Sequence, residues 1–156
     1  MPILPTVRDP RLITVRRGGT LTDEHHRMLA AWSIACAERV LPLFEAESPD
    51  DARPRDALQT ARAWIRGEVP VKAAHSAAFA ANAAGRGLGD AARFAALSAG
   101  QAVAVAHVAA HDLGAAAYAI RAVSVGDSSA RDLSGASWAR ASSARASSAG
   151  LRERDW

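Results

Sequence analysis

His107 and His111 stand four residues apart in the stretch Ser98 to Val125, SAGQAVAVAHVAAHDLGAAAYAIRAVSV. On a continuous helix that spacing puts both imidazoles on one side, where they can form part of a site or satisfy each other within a core. The same text also reads as two helices in succession, broken near Asp112 and Gly114. His75 and Asp112 are the groups that folding can bring beside the pair, and Tyr118 can donate one hydrogen bond from an apolar edge. A zinc-type site needs three or four ligands, and no HExxH pattern is present. No metal and no cofactor are therefore predicted, and His107 with His111 is the nearest approach to a metal pair.

Other reactive residue types lack the company that chemistry requires. Cys36 is the single cysteine; it lies between Trp32 and Val40, a setting for a small buried apolar residue rather than an activated thiolate. Glu38, Glu45, Glu47 and Asp51 are carboxylates whose spacing singles out no acid and base pair. The serines gather towards the C-terminus without the glycine-flanked elbow of a serine hydrolase, and the glycines read as helix breaks rather than a phosphate-binding loop. Arg53 and Arg55, in SPDDARPR, have two readings: partners of the nearby aspartates, or anchors for an anionic ligand or protein. Trp64, Lys72 and His75 are the further candidates for a partner surface.

Positioning these groups falls to helices. Alanine has the highest helix propensity, and its small side chain lets helix axes approach closely. The expected fold is accordingly all-α, one domain in a compact array of about five to six helices with alanine-rich close packing. Residues 1–19 form an irregular arm, because Pro2, Pro5, Pro10, Gly18 and Gly19 oppose a helix; Leu12, Ile13 and Val15 suit a short extended segment. Residues 20–125 are the helical core, and residues 126–156 a tail rich in serine, alanine and arginine, helical in part over Ala136 to Ala149 and docked by Trp138.

Within the core the first helix begins near Thr22, with Leu29, Trp32, Cys36, Val40 and Leu43 inward, Met28 and Phe44 widening the stripe, and His25 and His26 facing solvent. Pro42 predicts a kink or a helix end. Helix two runs to about Arg66 and closes at Gly67, with Leu58, Ala61 and Ile65 inward. A third runs from Val71 towards Ala84, with Ala74, Ala77, Ala78 and Ala81 against a neighbour and Asn82 at the rim. The fourth is capped by Asp90, with Phe94, Leu97 and Gln101 or its neighbours inward, and Gly100 permits a close crossing.

Charge and composition narrow the function classes. The chain holds 18 arginines and one lysine against 16 acids, for a net charge of +3. Basic and acidic residues are interspersed and no stacking aromatic pattern accompanies them, so nucleic-acid binding is not predicted. Arg11, Arg16 and Arg17 read as a solvated arm that can touch an acidic partner. No apolar run reaches membrane-spanning length. One cysteine excludes an internal disulfide, and with no basic and apolar leader the expected compartment is the cytoplasm.

Four pieces of text carry a family resemblance: Trp32 to Phe44, WSIACAERVLPLF; Pro49 to Arg55, PDDARPR; Ala61 to Glu68, ARAWIRGE; and Ala99 to Val123, AGQAVAVAHVAAHDLGAAAYAIRAV. In that order they resemble the bacterial immunity proteins of polymorphic toxin systems, which are small and all-helical. The resemblance implies a non-catalytic binding protein whose partner is a cognate toxin or another protein. The closing residues Glu153 to Trp156 resemble text that the family follows with more helix. Two other expectations stand beside this one: a small helical enzyme or small-molecule binder using an interhelical pocket of His75, His107, His111 and Tyr118, and a homo-oligomerising module built on the alanine seams.

Overall fold

Thr22 ends the arm and starts the first helix: its Oγ1 accepts the His25 amide at 3.2 Å, and Asp23 and Glu24 fill the first turn, where the helix dipole favours acids. The computed structural model describes residues 6–128. Among them lie five α-helices: α1 Asp23–Glu47, α2 Arg53–Ile65, α3 Val71–Ala84, α4 Asp90–Ala104 and α5, residues 111–128. Of the described residues, those up to Val123 belong to one compact unit, whose boundary falls inside α5. The all-α architecture and its alanine-rich packing are as the sequence leads one to expect; the helix proposed over 136–149, Trp138 and the closing residues lie outside the described residues. No helix among the described residues is long and apolar enough to cross a membrane.

Two short 3-10 turns, Pro10–Leu12 and Val15–Arg17, take in Leu12 and Val15 and confine the extended segment expected in the arm to Ile13 and Thr14, where Thr14 bridges Leu21. The second turn sits inside a closed loop. Leu21 N–H donates to the Ile13 carbonyl at 3.0 Å, Val15 N–H to the Leu21 carbonyl at 3.0 Å, and Gly19 N–H to the Thr14 carbonyl at 3.1 Å. Gly18 takes the left-handed φ of 82° that lets the chain reverse, and at Gly19 a Cβ would lie 2.0 Å from the Ile13 carbonyl oxygen. The glycine pair thus permits a closed loop that a bulkier sequence cannot make, and Arg16 and Arg17 sit on it.

α1 runs unbroken through Pro42, so of the kink or helix end expected there the end does not occur. The proline forgoes the bond to the Glu38 carbonyl one turn back, which the exposed side of a long helix can leave to water. The helix also buries a different face from the one its largest apolar residues suggest. Met28 and Trp32 are 62% and 48% exposed, whereas His26, Ala30, Ser33, Ile34, Ala37, Val40, Leu41 and Phe44 are buried. The buried stripe is turned by about a quarter of a revolution, at 100° per residue, from the expected one. The cause lies in α4, the principal neighbour of α1. Its buried residues are Ala92, Ala95, Ala96, Ser98, Ala99, Gly100, Ala102 and Val103, while Phe94, Leu97 and Gln101, expected inward, are only partly buried. Two such small-residue faces approach closely and gain dispersion contacts that a seam of bulky side chains would hold apart. Ser33 brings no unmet polar group inside, because its hydroxyl donates to the Leu29 carbonyl at 2.7 Å.

The joins between helices are specific. Asp51 accepts the Arg53 amide at 3.1 Å at the start of α2, which carries Pro54 in its first turn. At its end Gly67, with φ 78°, donates to the Trp64 carbonyl and Glu68 to the Ala63 carbonyl, both at 2.9 Å, a paired closure that leaves α2 no ragged C-terminus. The α3–α4 turn is held from a distance: the Glu47 carboxylate at the end of α1 accepts the Gly89 amide at 2.8 Å, capping α4 in place of Asp90. Asp90 instead pairs with Arg93. Ala74, Ala78, Ala81 and Ala84 form the buried face of α3.

Candidate functional site

The histidine pair does not share a helix. α4 stops at Ala104, His107 stands in the turn that follows, and His111 is the first residue of α5. The break therefore falls before His107, several residues earlier than Asp112 and Gly114. Its physical basis is His26, which the structure buries and the sequence placed in solvent. A ring nitrogen, Nε2, lies 2.6 Å from the Val105 carbonyl oxygen and must donate its proton there. In a continuous helix that carbonyl would accept the amide of Ala109. The imidazole from α1 takes its place, so the chain can leave the helix with Val105 still buried.

This turn divides the predicted site residues. His107 faces His75 with ring centroids 5.4 Å apart, and His75 meets Phe79 edge to face at 4.9 Å. His111 instead points to Gln101, its Nδ1–H donating to Oε1 at 2.7 Å. Tyr118 stacks on Phe94 at 6.0 Å, and the guanidiniums of Arg93 and Arg121 lie over the Phe94 ring. Arg53 is bound to Asp51, and Arg55 to Glu45 across the α1–α2 groove, beside the Arg62–Glu38 pair. Lys72 is exposed in the first turn of α3. Trp64 and His107 line one cavity together, while His111 lines a second with Arg8, Arg11 and Leu12 of the arm; Tyr118 lines neither. Among the described residues no three His, Cys, Asp or Glu side chains converge as metal ligands would. Cys36 is half-buried, and burial pushes its thiol above the usual range, away from thiolate chemistry at neutral pH.

The cavity holding Trp64 and His107 is a cleft of about 350 Å³. Arg16 and Arg17 border it from the arm, Asp23, His26 and Arg27 from the first turns of α1, Trp64 and Gly67 from the end of α2, and Val71 from the start of α3. The His26 ring stands edge-on to Trp64 at a centroid distance of 5.1 Å, so the two rings brace each other. Arg16 is tied to Asp23 at 2.6 Å. Arg17 and Arg27 make no ion pair among the described residues. The first turn of α3 has neither a capping side chain nor an acid, which adds the positive end of a helix dipole to the lining of the cleft. The sequence held a signal for part of this: His26 falls on the same helical face as Ala30, Ser33, Ala37 and Phe44, and reading small residues as the buried stripe would have brought it inside.

His111 gives the fold a pH-dependent contribution to stability. Burial lowers its pKa below 6.5, with His107 and Arg8 adding to the effect. As pH falls through 6.5 the unfolded chain takes up the proton before the folded one, so this contribution is fully present above pH 6.5 and is lost below it. The Asp112 carboxyl, raised from 3.8 by burial, acts with opposite sign, its contribution declining as pH rises from 3.8. Stability followed by urea unfolding between about pH 7.5 and 5.5 should fall more steeply for the native chain than for His111→Gln. Coincident slopes would refute this assignment, since the other titrating groups are common to both proteins.

Comparison with known proteins places this architecture. No curated protein and no solved structure matches the chain. One protein family does, described as Imm-5 like putative immunity protein, over residues 19–146. The matched span takes in the closed loop from Gly19 onward and all five helices. With that much of its length aligned to the family, the chain belongs to the Imm-5 like family.

Proposed function

We propose that the chain is an immunity-type binding protein that neutralises a bacterial toxin by forming a stoichiometric complex with it in the cytoplasm, without a catalytic cycle. The observation that carries this reading is the family match over residues 19–146. The placement of the reactive side chains supports it: His26 is committed to the Val105 carbonyl and His111 to Gln101, so each braces a turn. Of the acids at the α1–α2 end, Glu45 and Asp51 are neutralised by arginines and Glu47 caps α4. Besides Glu47, a basic toxin surface thus finds only Asp50 and Asp56 there without an ion pair among the described residues, and we assign recognition to the arginine-bordered cleft and the exposed face of α3.

The test is co-production. A toxin of the source genome that arrests growth when produced alone should be tolerated when the full chain is produced with it, and the two should co-elute at a fixed ratio in size-exclusion chromatography. Growth arrest that persists across that genome's candidate toxins would remove the reading. Protection at amounts of chain far below those of the toxin would point to turnover instead of stoichiometric capture.

A further inference from the structure

We infer that the cleft between the arm and the starts of α1 and α3 receives an acidic segment of the partner protein, with carboxylate side chains seated between Arg17 and Arg27. The inference rests on the binding-protein reading above and names the surface and its chemistry. Three observations on different elements converge on it. The closed loop holds Arg16 and Arg17 at the cleft through backbone bonds from Ile13 to Leu21, so these guanidiniums are presented from an ordered segment. Arg16 is spent on Asp23, the acid that lines the cleft, which leaves Arg17 and Arg27 as guanidiniums without an ion pair among the described residues. The uncapped start of α3, which also lines the cleft, carries no acid in its first turn.

Planar guanidiniums match carboxylates in bidentate geometry, and a recess shields such a pair from water better than an open surface does. The volume of about 350 Å³ accommodates one or two carboxylate side chains. Next to the cleft α3 presents Val71, His75 and Phe79 at successive turns, 39% exposed at Val71 and 64% at Phe79. An apolar residue of the same partner segment, flanking its acids, has these to pack on. A nucleic-acid strand fits less well, because the one indole of the cleft, Trp64, is braced by His26 and offers no run of stacking surfaces.

Fluorescein-labelled hexaglutamate, titrated with the full chain and read by anisotropy at about 50 mM salt, is the probe. Arg17→Ala/Arg27→Ala should weaken its binding at least about tenfold, whereas Arg39→Ala/Arg86→Ala, which removes two exposed arginines elsewhere, should change it by less than about twofold. All four arginines are surface residues, so both variants should retain native circular dichroism and melting. Absence of binding by the native chain, equal weakening in the two variants, or equally tight binding of a labelled single-stranded hexathymidylate would overturn the inference. So would toxin protection unaltered in Arg17→Ala/Arg27→Ala, a result that would leave the toxin-binding reading standing.

Discussion

Phe44→Ala is expected to cost about 3–5 kcal/mol of folding stability, much of what a domain of this size possesses. Phe44 is 0% exposed and heads the fully buried side chains by volume. Its cluster includes Val40, Ala84, Ala95, Ala96, Ala119 and Ala122. Alanine has no rotamer with which to move into a void, so the cavity left by the ring would stay largely empty and the loss should reach the upper part of that range. Chemical unfolding would show it as a lowered midpoint with an unchanged denaturant slope, and heating as a melting temperature lower by on the order of 10 °C. Phe79→Ala is the control: its side chain is 64% exposed and its removal should shift stability by no more than about 0.5 kcal/mol. A loss below about 1.5 kcal/mol at Phe44 would mean that the helices collapse onto the space, contrary to the packing described.

The second large effect is at Gly100, where α4 crosses α3. A Cβ there would lie 2.0 Å from Asn82 Oδ1 and 3.2 Å from the Ala78 carbonyl oxygen. Asn82 Oδ1 is itself buried with no hydrogen-bond partner among the described residues. Gly100→Ala should therefore destabilise by about 1–3 kcal/mol through overpacking, less the roughly 1 kcal/mol that alanine gains in helix propensity. Asn82→Ala removes the obstructing amide and an unpaired carbonyl, so it should be neutral or stabilising. The double variant should then recover at least the native stability, giving a coupling of about 1 kcal/mol or more in a double-mutant cycle. Additive effects would show that the amide is not what Gly100 makes room for.

Both predictions concern features that local reading could only half supply. Alanine density and helix-stop residues made an all-helical chain legible, and Thr22, Pro54, Gly67 and the Arg86–Gly89 break mark helix boundaries because capping and left-handed turns depend on residues a few positions apart. The buried face of α1 was not legible in the same way. Apolar bulk at Met28 and Trp32 outweighs Ala30 and Ser33 in any tally of hydrophobicity, yet the facing surface of α4 is made of alanine and glycine, and only a complementary stripe of small residues can lie against it. Asn82 at the rim of α3 was also legible; its amide lying against Gly100 was not, since the two belong to different helices.

The site follows the same division. From residue order alone came the all-α class, the alanine seams, the resemblance to immunity proteins, the arginine pair beside the aspartates at 50–55, and an arm that cannot be a long helix. These rest on propensity, capping and spacing, which act within a few residues of chain. Tertiary structure decided that α4 ends before His107, that His26 is inside, that His111 leaves the company of His107 for Gln101, and that Arg17 and Arg27 border one cleft with Trp64. Each of these depends on a partner brought in from a distant segment. The Val105 carbonyl can leave the helical ladder because an imidazole 79 residues earlier in the chain replaces the missing amide, and no local pattern around Val105 encodes that donor.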